Sequence, residues 1–308
     1  MLVLAATGGH LITYFQAIVI GLLQGITELF PISSLGHAVI LPKLLGWNLN
    51  QKEPYYLAFL VATHLATAIV LFLFFLPEWR RILRGLGRSL RDREVAPGDA
   101  DARLAWLLIV GTIPAGLIGL LFEHPLRSLF ANPEAAAVFL MVNGLILFAA
   151  EWLRRRAPGA RERADELARS DESDTGPEAE QRLATLGYGE AVAVGTAQAA
   201  ALFPGISRSG VTMAGGLFVG LTHEDAARYA FLLATPIIGA AALLKLPDLF
   251  GSDGAGVRGP ALAGAVCAGL AAWASVKFLM RYFETNSLTP FAWYCLVAGF
   301  AALLVFVL

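Results

Sequence analysis

The sequence predicts an all-α polytopic membrane protein, an inverted repeat in which each half is a re-entrant helix pair plus three transmembrane helices. Of its 308 residues, 57% are hydrophobic and 15% are charged. A soluble domain carries about 25% charged residues, so most of this chain is expected to lie in lipid. Several apolar runs reach the length of about 20 residues that crosses a hydrocarbon core. The net charge of −1 provides no field for binding nucleic acid.

The first re-entrant pair is expected over about 12–47. Its first apolar run contains Gln24 and Glu28, which share a helix face because they are four residues apart. Pro31 ends that helix, and the next apolar run, 35–47, is too short to span. The two short helices should therefore enter and leave the bilayer on one side, where non-helical backbone needs cover from protein or water.

The remaining segments follow from hydropathy and charge. Two Arg-rich loops flank one helical hairpin, so they share a side, and the positive-inside rule makes that side cytoplasmic. The loop Pro247–Gly259 and both termini are then external. The predicted boundaries are 1-153 for the first repeat, with spans about 55-76, 104-122 and 135-153; 154-187 for a polar cytoplasmic loop; and 188-308 for the second repeat, with a re-entrant pair about 188-221 and spans about 226-246, 260-282 and 289-308.

The second half repeats residues of the first at a constant offset. The matched pairs include Gly21 with Gly195, Gln24 with Gln198, Ser33 with Ser207, and Gly36 with Gly210. An odd number of spans in each half inverts the second half relative to the first, an arrangement typical of membrane proteins with a site at the midplane. The two re-entrant loops are therefore expected to meet inside the membrane.

The residues of these loops indicate a phosphate or diphosphate site. Ionisable groups at membrane depth, here Glu28 and His37, are costly and usually functional. The second loop, Phe203–Thr212, contains glycines and small hydroxyl residues that lead into a predicted helix. Backbone amides at a helix N-terminus bind anions, and Arg208 adds a planar fork suited to phosphate oxygens.

The same residues also admit structural roles. Glu28 could bond re-entrant backbone, His37 could be a satisfied core histidine, Ser33 and Ser34 could be helix caps, and Arg208 could pin the two loops together. Outside the loops, His64 is expected to be a packing polar residue. Lys245 is expected to extend toward the membrane surface.

Both motifs together resemble the signature of the undecaprenyl-diphosphatase family, also called the bacitracin-resistance family. The motifs are Gln24-x-x-x-Glu28…Pro31-Ile-Ser-Ser-Leu-Gly-His37 and Pro204-Gly-Ile-Ser-Arg-Ser-Gly-Val-Thr212. The resemblance covers nearly the whole chain. It implies a bacterial inner-membrane hydrolase that converts undecaprenyl diphosphate to undecaprenyl phosphate and phosphate for cell-wall synthesis, with its active site opening to the periplasmic or external side.

The resemblance implies roles residue by residue. It assigns catalysis to Glu28, Ser34, His37 and Arg208, and substrate binding to Gln24, Ser33, Ser207, Ser209, Gly210 and Thr212. Gln24 departs from the family pattern because many members have Glu there, and Leu35 replaces a common Thr. Either Ser34 or His37 attacks the terminal phosphorus, or His37 activates Ser34 or water. Glu28 orients or deprotonates that partner, or helps to hold a divalent cation, Mg or Ca.

The expected partners are a polyprenyl diphosphate lipid and the bilayer, with a homodimer as a further option and no nucleic acid. No organic cofactor is expected. A transporter or flippase for a phosphorylated lipid is the rival function, because inverted repeats with broken helices are also a transporter architecture. A scaffold without catalysis would leave the charges inside the membrane unexplained.

Overall fold

The computed structural model describes residues 11–126, 132–156, 177–251 and 256–308, and over these residues it contains helices and no strands. The helices are α1 (Tyr14–Thr27), α2 (Ser34–Leu44), α3 (Pro54–Phe74), α4 (Leu76–Asp92), α5 (Ala100–Leu126), α6 (Pro133–Arg156), α7 (Pro177–Leu183), α8 (Tyr188–Ala197), a 3-10 helix (Gln198–Leu202), α9 (Arg208–Phe218), α10 (His223–Phe250), α11 (Arg258–Phe283) and α12 (Thr289–Val307).

Six of these helices, α3, α5, α6, α10, α11 and α12, are long and apolar enough to cross a membrane. Large apolar side chains on their outer faces are exposed, among them Leu120, Leu244 and Leu270. A soluble protein would bury such a continuous apolar surface, whereas lipid covers it at no cost. The prediction of an all-α polytopic membrane protein is therefore confirmed.

Two interrupted helix pairs, α1–α2 and α8–α9, end near one another inside the bundle. Helix α1 packs closely on α11, and glycine makes the close approach possible because a Cβ atom at Gly21 would overlap the backbone of Gly264. Helix α8 packs in the same way on α5, where a Cβ atom at Gly195 would overlap the backbone of Gly111. Each short helix is thus held against a long helix from the other half of the chain.

Helices α6 and α12 form a close pair that supports both interrupted segments. A Cβ atom at Gly144 would lie 2.8 Å from the carbonyl oxygen of Ala292, and one at Gly299 would lie 2.7 Å from that of Ala137. Small residues at such crossings let helix backbones approach closely in membranes. These matched contacts are compatible with the predicted inverted repeat, which stays a prediction.

The first Arg-rich segment, a loop in the sequence prediction, is largely the helix α4. Trp79, Ile82 and Gly85 recur at helical spacing and are buried, while Arg80 and Arg84 lie on the exposed face. This amphipathic pattern lets a short, highly charged segment fold as a helix with one buried face. The second polar segment gives only the short helix α7 in its described part, and 157–176 of the predicted 154–187 loop lie outside the described residues.

Polar contacts gather at the bundle end where α4 lies. His223 Nε2 and Glu151 Oε1 are 2.7 Å apart, and the same carboxylate oxygen accepts from the backbone N–H of Leu288 at 2.7 Å. Arg182 of α7 donates to buried Asp225. These bonds join α6, α7 and α10 at the end of the bundle where the basic helix α4 lies.

Candidate active site

The two re-entrant loops are in direct contact. A Cβ atom at Gly36 would lie 2.8 Å from the Cα atom of Gly205, so glycine at position 36 lets the two segments touch. Ser33 Oγ accepts hydrogen bonds from Gly36 N at 3.3 Å and from Gly205 N at 3.2 Å. Ser33 itself has a φ of +71°, a left-handed conformation that is uncommon outside glycine and clusters at functional sites.

Asn143 of α6 fastens both loops at once. Its side-chain nitrogen donates to the carbonyl oxygen of Pro31 at 2.9 Å, and its side-chain oxygen accepts from Ser207 N at 2.9 Å. The residue is fully buried, where an unpaired amide would be costly. Sequence reasoning missed this residue, although an amide within an apolar span was a usable signal.

The loop contact brings Glu28 and Arg208 together. Arg208 Nη2 donates to Glu28 Oε1, and Arg208 Nη1 donates to the carbonyl oxygen of Ala234 at 3.4 Å. The other carboxylate oxygen, Oε2, accepts from Ser34 Oγ at 2.5 Å and from Gln24 Nε2 at 2.9 Å. Glu28 is 9% exposed, so an ionised carboxylate here needs these partners.

Two helix N-termini point into this region. Ser34 begins α2 behind the cap Ser33, and Arg208 begins α9 behind the cap Ser207. Helix N-termini carry partial positive charge and free backbone N–H groups. Together with the guanidinium group, they make the region around Glu28 favourable for a multiply charged anion.

A cavity of about 390 Å³ opens from the Glu28–Arg208 pair, within the usual size range of small-molecule sites. Most of its wall is apolar, which suits a lipid tail. Its polar lining residues are Glu28, Ser33, Ser34, His64, Gln198, Ser207, Arg208 and Lys245. The cavity extends along the part of α3 that contains Leu57 and the part of α10 that contains Lys245.

His37 does not line this cavity. Its Nδ1 lies 2.7 Å from the carbonyl oxygen of Ser33, and its Nε2 lies 2.8 Å from the hydroxyl oxygen of Tyr294. Its ring also stacks on that of Tyr294 with an interplanar angle of 12°. Both ring nitrogens are thus engaged, one by the loop residue Ser33 and the other by Tyr294 of α12.

Several predicted substrate-binding residues also bond protein groups. Ser207 Oγ and Ser209 Oγ lie 3.0 Å apart, and Ser209 donates to the carbonyl oxygen of Phe30 at 3.1 Å. Gly210 N donates to the Ser207 cap, and Thr212 Oγ1 donates to the carbonyl oxygen of Arg208 at 2.7 Å. Among the described residues, Ser33 and Ser207 line the cavity, whereas Gln24, Ser209, Gly210 and Thr212 do not.

Two polar lining residues were missed as site residues. His64, which the sequence predicts to be a packing residue, has its Nε2 atom 3.5 Å from Glu28 Oε2. Gln198, identified from the sequence only as the repeat match of Gln24, is 3% exposed, and neither of its side-chain polar atoms has a hydrogen-bond partner among the described residues. The repeat was a usable signal. Gln24 bonds Glu28, four residues later, whereas the residue four positions after Gln198 is the apolar Leu202, which offers no such hydrogen bond.

The expected divalent cation does not fit this donor set. Mg²⁺ and Ca²⁺ bind to several oxygen ligands, usually including carboxylates. Of the described residues that line the cavity, only Glu28 has a carboxylate, and both its oxygens already accept hydrogen bonds from Arg208, Ser34 or Gln24. His, Cys, Asp and Glu form no group of three that could hold a metal ion within the described ranges.

The chain is similar to known proteins over nearly its whole length. Residues 17–301 match the family described as bacitracin resistance protein BacA. The chain is 51% identical to an undecaprenyl-diphosphatase of Mycolicibacterium paratuberculosis, covering 95% of this chain and 97% of that relative. It is 47% identical to undecaprenyl-diphosphatase 1 of Frankia casuarinae, covering 93% and 96%. It is 45% identical to an undecaprenyl-diphosphatase of Granulibacter bethesdensis, covering 94% and 95%. The chain therefore belongs to the bacitracin resistance protein BacA family.

Proposed function

We propose that this protein hydrolyses undecaprenyl diphosphate to undecaprenyl phosphate and inorganic phosphate. One observation carries the proposal. A serine hydroxyl, a carboxylate and a guanidinium group meet at the inner end of a mostly apolar cavity within a membrane-spanning bundle. The polar end suits a diphosphate, and the apolar walls suit an isoprenoid chain. The naming of the relatives as undecaprenyl-diphosphatases supports this substrate.

Ser34 is the nucleophile in this proposal. Its hydroxyl group lines the cavity and donates to Glu28 Oε2 at 2.5 Å, so the carboxylate can take the proton as Oγ attacks. The new bond joins Ser34 Oγ to the terminal phosphorus, and the bond from that phosphorus to the bridging oxygen breaks. Undecaprenyl phosphate leaves with the electron pair of that bond. Water then hydrolyses the phosphoserine and releases phosphate.

Arg208 and the helix N-termini hold the diphosphate and stabilise its negative charge. A guanidinium group has five N–H donors, and Arg208 uses donors on two nitrogens for Glu28 and Ala234. The remaining donors can serve phosphate oxygens at the cavity wall. In phosphoryl transfer most of the catalysis comes from positioning and charge stabilisation, and these are the two things that a fixed guanidinium group supplies.

We place the protein in the bacterial inner membrane, with the cavity opening to the external side. The basic helix α4 follows the end of α3. His223 Nδ1, at the start of α10, lies 2.9 Å from Arg154 Nη1. The cavity instead extends toward Leu57 near the start of α3 and toward Lys245 near the end of α10. The positive-inside rule assigns the α4 end to the cytoplasm, so the cavity mouth faces outward.

Phosphate release by purified protein in detergent tests the activity. Undecaprenyl diphosphate and the shorter farnesyl diphosphate serve as substrates, with inorganic phosphate as the readout. We expect release from both in wild-type protein and loss of release in E28Q. Absence of release across a range of pH values would refute the hydrolase proposal and favour the transporter, which a liposome assay of lipid movement would then examine.

Labelling of introduced cysteines tests the orientation. Leu57→Cys places a thiol at the cavity wall, and Arg84→Cys places one on exposed α4. Both are made in a Cys267→Ala background, because the remaining Cys295 is fully buried. We expect a membrane-impermeant maleimide applied to intact cells to modify the thiol at 57 but not the one at 84. The opposite pattern would invert the proposed topology.

A further inference from the structure

We infer that His64 is the general base of the second half of the reaction, the hydrolysis of the phosphoserine. This inference rests on the proposed function and names a residue outside both sequence motifs. His64 lies on α3, lines the cavity and has a side chain that is 27% exposed, against 7% for Glu28. Its imidazole is therefore accessible to water in the cavity, whereas the carboxylate group of Glu28 is nearly inaccessible.

The hydrogen bonding of His64 defines its tautomer. Its Nδ1 lies 2.8 Å from the carbonyl oxygen of Leu60, and a carbonyl oxygen only accepts, so Nδ1 bears the hydrogen. In the neutral ring Nε2 then keeps its lone pair. That atom lies 3.5 Å from Glu28 Oε2, the same oxygen that accepts from Ser34. The free base position of His64 is thus beside the proposed nucleophile.

Charged groups of both signs face His64. Glu28, directly after α1, can form an ion pair with the imidazolium that results when Nε2 takes a proton. Arg208 on α9 and Lys245 on α10 line the same cavity and repel an imidazolium, although Arg208 is itself paired with Glu28. His37 offers no comparable position, because Ser33 and Tyr294 engage both its nitrogens.

The step balances in atoms and protons. The water oxygen bonds to the phosphorus of phosphoserine while one water proton moves to His64 Nε2. The bond between phosphorus and Ser34 Oγ breaks, and Oγ regains the proton that Glu28 took in the first half. His64 afterwards gives its proton to solvent as inorganic phosphate leaves. Water is the one co-reactant that the step consumes.

The test follows the label of β-³²P-farnesyl diphosphate in acid-quenched single-turnover reactions. We expect H64Q to release phosphate roughly 100-fold or more slowly than wild type, the usual scale for a lost general base, while labelled protein accumulates. The matched control is H223Q, because His223 bonds Glu151 outside the cavity. That control should show wild-type release and no label.

Each result has one interpretation. Wild-type turnover in H64Q, or slow turnover without labelled protein, would overturn the role of His64 while leaving the diphosphatase proposal intact. Absence of release in wild type would overturn the diphosphatase proposal itself. If H64Q aggregates, H64N replaces it, and wild-type phosphate release in H64N would likewise overturn the role.

A separate observation assigns Gln198 to the substrate. Its carboxamide is more than nine-tenths buried, lines the cavity and bonds no group in the described part of the chain, and leaving a buried polar group unpaired is costly. We propose that its Nε2–H group donates to a diphosphate oxygen. A neutral donor of this kind adds binding without altering the charge of the site.

Substitution by leucine removes the polar atoms of Gln198 and keeps its approximate size. We expect Q198L to raise KM for farnesyl diphosphate, and the Ki of inorganic pyrophosphate as a competitor, each by about tenfold, the loss of one hydrogen bond to a charged group. Its kcat should stay within about threefold of wild type, because the bond serves binding and not the chemical step. Q181L, on the exposed face of α7, is the control. Unchanged KM and Ki would overturn the assignment, and Q198N takes the place of Q198L if the latter does not fold.

Discussion

Arg208 Nη2 and Glu28 Oε1 are hydrogen-bonded although 180 positions separate the two residues in the chain. Each lies where a short helix meets a re-entrant loop inside the bundle, so the bond joins the two interrupted helix pairs at the cavity. An ion pair with little exposure is a weak source of stability, because desolvation offsets much of the attraction. Its position at the cavity wall instead agrees with the roles proposed for both residues in the reaction.

Removing the charge of Glu28 should stop turnover. In E28Q the side chain keeps its shape but no longer takes a proton from Ser34 or pairs with Arg208. We expect kcat for undecaprenyl diphosphate to fall roughly 100-fold or more, the scale of a lost general base, as measured by phosphate release. Arg84→Lys on α4 is a control for handling of the protein, and E28Q activity close to that of wild type would contradict the assignment.

The two adjacent serines should have different roles, a chemical one for Ser34 and a structural one for Ser33. Ser34 Oγ faces Glu28, whereas Ser33 Oγ caps α2 and accepts from Gly205. We expect S34A to abolish phosphate release and protein-bound label. S33A should keep measurable turnover while losing about 1 kcal/mol of stability, the usual cost of a lost cap. Equal loss of turnover in the two variants, with equal melting temperatures, would argue against this division.

Replacing His37 should weaken the fold more than the chemistry. H37Q loses the stacking on Tyr294 and at least one hydrogen bond, each bond contributing about 1 kcal/mol. We expect a lower melting temperature in detergent, with kcat of the same order as that of wild type. Tyr294→Phe, which removes one partner only, should give a smaller decrease. A stable H37Q protein with no turnover would restore His37 to the catalytic group.

A single methyl group should disturb the packing of α8 on α5. In Gly195→Ala the added Cβ atom overlaps the backbone of Gly111, so the helices must separate. Gly116→Ala on α5 is the matched control, since a Cβ atom there meets no described atom within 4 Å. We expect reduced yield and a lower melting temperature for the first variant only, measured by fluorescence-detected size exclusion. Equal behaviour of the pair would show that the close approach is not needed.

The sequence predicted the parts of this protein that depend on hydropathy and motif chemistry. The six apolar spans are confirmed as long helices, and the structure brings Glu28, Ser34 and Arg208 together. Helix α4 was not predicted, because its many charged residues suggested a loop, although Trp79 and Ile82 recur at helical spacing and are buried. The boundaries of each repeat and the roles of the site residues stay predictions.

The two histidines mark the limit of what a single sequence can predict. His37 lies in a motif and His64 in an apolar run, and these contexts favoured a chemical role for His37 and a packing role for His64. Which side chain reaches a cavity depends on helix rotation and on a distant neighbour. Tyr294, 257 positions from His37, engages its ring, and the rotation of α3 turns His64 toward Glu28.

Asn143 holds the two loops of the site together although it does not line the cavity. Its amide belongs to neither loop, yet it bonds Pro31 in the first and Ser207 in the second. A compound that moved α6 away from these loops would break their shared contact without entering the cavity. Such an inhibitor would not have to outcompete a long hydrocarbon substrate concentrated in the membrane.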